Sequence, residues 1–121
     1  MILSIKESLK VDITNVKDLE HLESLMMSIE EGLEYLVFTD YYGGDHLCSV
    51  AYATSEALEG PSVLIDDSIK YVVIKIADGQ TLDNVFEYLG SLVDEEKIKR
   101  AYLIDYIRKN ENGLEFFISV E

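Results

Sequence analysis

Glu115 sits in the run Leu114-Glu115-Phe116-Phe117-Ile118-Ser119-Val120. Side chains alternate along a strand, so this run presents Glu115, Phe117 and Ser119 to one side and Phe116, Ile118 and Val120 to the other. A carboxylate among aromatic rings in a partly dry cleft attracts a cation, and the ring faces add cation–π attraction. The plain alternative is a solvated glutamate on a strand face. Tyr35, Tyr71, Tyr102 and Tyr106 lie in other β-rich runs and could wall the same cleft, each with flat apolar area and a polar tip. Singly each reads as the edge of a core; as a cluster they carry more information.

Other chemistries find weaker footing. His21 and His46 fall in different elements without paired-ligand spacing, and Cys48 is the only thiol, so the three or four ligands of a zinc site are not expected. Asp40-Tyr41-Tyr42-Gly43-Gly44-Asp45-His46 gathers carboxylates and an imidazole at a hairpin tip. It lacks the alternating oxygen ligands of a calcium loop, and no Gly-Lys-Ser/Thr follows the glycines to cradle phosphate. Alternation puts Cys48 on the same strand face as Val50, where burial would leave a thiol inert, although His46 shares that face. The expectation is no metal, no cofactor and no catalytic residue.

The elements that must position these residues can be read from periodicity. Leu3, Ile5, Leu9, Val11 and Ile13 alternate with polar residues, predicting a strand with one buried face. Asn15 and Asp18 can cap a helix carrying Leu19, Leu22, Met26 and Ile29, with Gly32 as a stop. Glu34 to Tyr41 and His46 to Thr54 read as a hairpin, and Ser55 to Ser62, with Gly60-Pro61, as a linker. The programme then recurs: a strand from Tyr71 to Ala77 with Val72, Ile74 and Ile76 inward, a helix capped by Thr81, and strands from Ala101 to Ile107 and Leu114 to Val120. A near-constant offset relates Asn15 to Thr81 and Val37 to Leu103, and the first strands align with Leu9 on Ile74 and Val11 on Ile76. The expected fold is a single α+β domain over residues 1–121. It has two pseudo-symmetric strand-helix-strand-strand repeats, about 1–54 and 63–121, in an antiparallel sheet with helices on one face and a cleft between repeats. In the strand from Ala101 to Ile107, either Tyr102 and Tyr106 or Leu103 and Asp105 could face that cleft.

Charge narrows the partners. The 121 residues hold 10 basic and 24 acidic side chains, a formal net charge of −14, which is repelled by phosphate backbones and anionic lipid. Direct nucleic-acid binding and membrane binding are therefore not expected. One cysteine and no apolar run of membrane-spanning length point to a soluble protein of a reducing cytoplasm. Glu20, Glu23, Glu30, Glu31 and Glu34, with Glu56, Glu59, Asp66 and Asp67, could form a docking face for a basic protein, or simply a solubilising surface.

The ending Glu115-Phe116-Phe117-Ile118-Ser119-Val120, and Tyr71-Val72-Val73-Ile74-Lys75 followed by Gly79, resemble the GyrI-like small-molecule-binding family across essentially the whole chain. That family includes effector-binding domains of multidrug-sensing bacterial regulators and stand-alone gyrase-inhibitor-like proteins. Ser119 stands where the family usually has proline, and the span from Tyr71 to Gly79 is one residue longer than common. The family's acidic position after the second helix is either absent or shifted to Asp105. The resemblance implies a stand-alone module that takes a small amphipathic or cationic molecule in a cleft, with Glu115 and Phe117 as principal contacts. Tyr71, Tyr102, Tyr106 and Tyr35 would support them, and Asp105 would be a substitute carboxylate. An inhibitor-like module that captures a basic protein, and a small hydrolase, are the alternatives.

Overall fold

In the computed structural model, which describes residues 1–42, 45–54 and 60–121, the alternating and helical periodicities resolve into an α+β fold. Its elements are β1 (Ile2–Asp12), α1 (Val16–Ser28), β2 (Glu34–Tyr42), β3 (Asp45–Thr54), β4 (Ser62–Leu64), β5 (Lys70–Ile76), α2 (Leu82–Asp94), β6 (Asp105–Asn110) and β7 (Gly113–Val120). The strands make one antiparallel sheet in the order β4-β1-β3-β2-β6-β7-β5.

Both helices lie on the same face of it. Leu19, Leu22 and Met26 of α1 and Leu82, Val85 and Leu89 of α2 share one apolar cluster with Leu36, Phe38, Cys48, Val50, Ile74, Ile76, Ile107, Phe116 and Ile118 of the sheet. Phe38 and Phe116 stack at its centre with ring centroids 5.4 Å apart. Burial of each such side chain contributes about 1.5–3 kcal/mol, so this cluster is the main source of stability. No helix among the described residues is long and apolar enough to cross a membrane.

The helix starts follow their capping residues. Asn15 accepts from the backbone N–H groups of Lys17 and Asp18 at 3.0 and 3.2 Å, and Thr81 Oγ1 accepts from Asn84 N–H at 3.2 Å. A cap invisible in the sequence comes from the other helix: Glu23 Oε1 accepts from Leu82 N–H at 2.8 Å, placing a carboxylate at the positive end of α2. Glu23, expected on a free acidic face, instead ties α1 to α2. Glu23→Ala is expected to cost about 1 kcal/mol, read as a lower urea midpoint. No change in midpoint would leave the cap without energetic weight.

Three sequence expectations need correction. Strand β1 does not keep one buried face, because its register against β3 shifts between Ile5 and Glu7. The extra residue inverts the alternation, so Leu3 joins a cluster on the face away from the helices while Leu9 and Val11 pack toward them. Ser62 is not linker; it begins β4 and pairs with Ser4. The strand expected from Ala101 to Ile107 begins at Asp105 and runs to Asn110, so the turn into β7 is the tight Asn110–Gly113 link, with Gly113 at φ 121°. The Gly43-Gly44 turn and positions 55–59 of the expected linker lie outside the described residues.

Candidate functional site

The sheet face opposite the helices carries its own aromatic cluster. Strand register lays it out in rows: Val37, Tyr106, Phe117 and Val73 run across β2, β6, β7 and β5, and Tyr35, Arg108, Glu115 and Lys75 form the adjacent row of the same face. Tyr71, two residues from Val73, completes the group. Tyr106 and Phe117 stack with centroids 4.6 Å apart, and Tyr71 meets both edge-on, at 5.3 and 6.0 Å. Tyr35 abuts Tyr106 edge-on at 5.9 Å. Tyr106 is buried, whereas Tyr35, Tyr71 and Phe117 are half-buried, so the cluster offers ring surface at its rim.

This cluster is anchored from beneath and from one side. Leu3, Val37, Ala51 and Ile65 are buried against it, and Tyr71 Oη donates to the Ile104 carbonyl at 2.8 Å. Burial first, then the neighbouring Tyr106 and Asp105, holds the Tyr71 hydroxyl well above the ordinary tyrosine range; burial also raises that of Tyr106. Both present neutral rings at neutral pH, and Tyr71 is the one that donates.

The other side of the cluster is charged. Arg108 Nε donates to Glu115 Oε1 at 3.2 Å, and Asn110 Nδ2 donates to the same oxygen. The guanidinium also lies over the Phe117 ring, 4.7 Å from its centroid. Next to this corner opens a pocket of about 350 Å³ whose walls include Tyr35, Arg108, Lys109, Asn110 and Glu34.

Of the residues singled out in the sequence, Tyr35, Tyr71, Tyr106, Phe117 and Glu115 are thus brought together. Tyr102 and Asp105 are not with them. Tyr102 precedes β6 with φ 54°, is exposed, and stacks over Arg100 at 4.4 Å rather than facing the cluster. Because the strand starts after it, alternation with Tyr106 has no hold on its direction. Asp105 is only 1% exposed and is enclosed by donors: Ser119 N–H at 2.7 Å, Ser119 Oγ at 2.8 Å, Arg100 Nη2 at 2.8 Å and the Tyr41 hydroxyl. It is a structural anion with four partners. Arg108 and Asn110, which lie beyond the Ile107 end of the strand expected from the sequence, line the candidate site; continuing the alternation beyond Tyr106 would have found them.

Cys48 is fully buried, and burial pushes its thiol up to about 12, which leaves no thiolate for nucleophilic chemistry at neutral pH. His46 is buried edge-on to Tyr41 at 4.8 Å, and its ring nitrogens have no hydrogen-bond partner among the described residues. No group of three or more His, Cys, Asp or Glu side chains that could hold a metal ion occurs among the described residues. What the open face can do chemically is bind: it combines aromatic surface, a guanidinium–carboxylate pair and an adjoining pocket. Compared with models of known protein families, with curated proteins and with solved structures, the chain matches none.

Proposed function

We propose that the protein is a small-molecule-binding module of GyrI-like character, whose open sheet face takes an amphipathic ligand. The observation that carries this reading is the packing of Tyr35, Tyr71, Tyr106 and Phe117 on the one sheet face the helices leave free, bordered by a charged corner and a pocket. A concave, largely apolar surface with a few polar groups at one side is the usual composition of a ligand site. The flat part of the ligand would lie on the half-buried rings, and its polar end would reach the corner formed by Arg108, Glu115 and Asn110.

The strand order supports the two-repeat element of this reading. Strands β1-β3-β2 and β5-β7-β6 have the same internal arrangement and meet through an antiparallel β2–β6 pair, with Val37 opposite Tyr106. In the proposed architecture the seam between repeats runs under the aromatic cluster.

Calorimetric titration with flat amphipathic compounds of positive, neutral and negative charge tests the reading. Phe117→Ala and Tyr35→Ala are expected to weaken binding by about tenfold or more, with the fold retained by circular dichroism. Absence of binding across the panel, or full affinity in both variants, overturns the assignment. Glu115→Gln tests the cation-anchor role separately: loss of affinity for the cationic members alone would assign it.

A further inference from the structure

We infer that the open face selects an anionic head group, and that Arg108 receives it. This rests on the ligand-site reading above and adds its charge class. The two charges of the corner are unequally available: the Arg108 side chain is 44% exposed and that of Glu115 only 15%. Glu115 Oε1 already accepts from both Arg108 and Asn110, so the carboxylate is countered before any ligand arrives. Arg108 contributes only Nε to that pair. Among the described residues no acceptor meets its two Nη groups, which leaves the outer part of the guanidinium to donate.

Position agrees with availability. Arg108 borders the pocket beside Tyr35 while its guanidinium covers Phe117, so one residue touches both the ring surface and the space where a head group would lie. Across β6, β7 and β5 the row reads Arg108, Glu115, Lys75, two cations around one carboxylate on a chain that is otherwise strongly acidic. Three glutamates also border the pocket. Glu34 is engaged by the Glu30 N–H at 2.9 Å and by Lys6 at 3.4 Å, and Glu31 and Glu111 are exposed, where solvent and salt screen them. A planar carboxylate attached to an aromatic body matches this arrangement, because a guanidinium edge donates two parallel hydrogen bonds to it.

The test uses three probes with one ring system: 2-naphthylacetate, 2-(2-naphthyl)ethanol and 2-(2-naphthyl)ethylammonium, titrated calorimetrically at about physiological ionic strength. The acetate is expected to bind about tenfold or more tightly than the alcohol. Arg108→Gln should erase that preference, bringing the acetate-to-alcohol affinity ratio down to about one. Glu115→Gln serves as the second variant, since it leaves the cation in place and should raise acetate affinity. Tighter binding of the ammonium probe, or an acetate preference that survives Arg108→Gln, overturns the inference while leaving the ligand site intact. Binding of none of the three overturns the ligand-site reading and this inference together.

Discussion

Asp105→Ala is expected to lower stability by about 3–5 kcal/mol, the largest effect of any single charge change in this fold. The carboxylate is enclosed, and its removal takes the acceptor from Ser119 N–H, Ser119 Oγ–H and Arg100, and leaves the Tyr41 hydroxyl only the Phe38 carbonyl at 3.5 Å. Arg100 is the costly one, since its side chain is 12% exposed and Asp105 is its salt-bridge partner. It lies against the rings of Tyr41 and Tyr102, at 5.4 and 4.4 Å, which cannot replace a counter-charge. The β6–β7 ladder runs from Asn110 to Tyr106, and Asp105 continues the connection through its side chain to Ser119, so the variant should also loosen the start of β6. Urea unfolding measures this as a lower midpoint at unchanged slope. Because one uncompensated charge is worse than none, Asp105→Asn combined with Arg100→Gln should lose less than the sum of the two single changes. A loss below about 1 kcal/mol for Asp105→Ala would show that water replaces these bonds at little cost.

The same residue shows where sequence reading stops. Period-two alternation is a local signal, and it placed Phe116, Ile118, Ile74 and Ile76 on the helix-covered face where they are found. Tyr71 and Phe117, on the other parity, were likewise expected on the open face and lie there. Alternation fails wherever the backbone adds or removes a residue. The bulge in β1 sends Leu3 and Val11 to opposite faces although both occupy odd positions. The positive φ of Tyr102 removes it from a strand that its neighbours seemed to extend. Neither departure has a glycine or proline to announce it.

Charge partnerships were less legible than faces. Glu115 as a cleft carboxylate follows from its flanking aromatics, but its pairing with Arg108 depends on β6 running on to Asn110, past the Ile107 at which the strand was expected to end. Glu23 has no sequence feature that separates it from the other acids of α1, and its bond to Leu82 exists only because the two helices pack side by side. Asp105 could be read as a substitute ligand anchor because nothing local says that Tyr41, Arg100 and Ser119 converge on it. Such convergence is tertiary information, and those residues come from three segments of the chain other than the start of β6.

Alkaline pH should unfold this protein through groups that it keeps protonated. Burial pushes the Cys48 thiol from 9.0 up to about 12, and burial together with the Asp105 charge holds the Tyr41 hydroxyl far above the usual tyrosine range. In each case the unfolded chain releases its proton first. Their stabilising effect is therefore complete below the unfolded values and declines as pH rises past about 9 for the thiol and about 10 for the phenol. Above pH ~10 each of the two groups removes on the order of 1 kcal/mol per pH unit, so by pH ~11 their combined loss is several kcal/mol. Tyr71 and Tyr106, also raised by burial, act in the same direction. Against a typical domain stability of about 5–15 kcal/mol, this places cooperative unfolding near or above pH ~11. Tyrosinate absorbance followed alongside near-ultraviolet circular dichroism should show two phases, with exposed tyrosines ionising first and Tyr41, Tyr71 and Tyr106 ionising as tertiary structure is lost. Cys48→Ala, once its cavity cost is set as the baseline at neutral pH, should remove the decline between pH ~9 and ~10. Ionisation of all eight tyrosines in one phase near pH ~10, with the dichroism unchanged, would mean that the aromatic cluster admits hydroxide and is far less enclosed than its geometry implies.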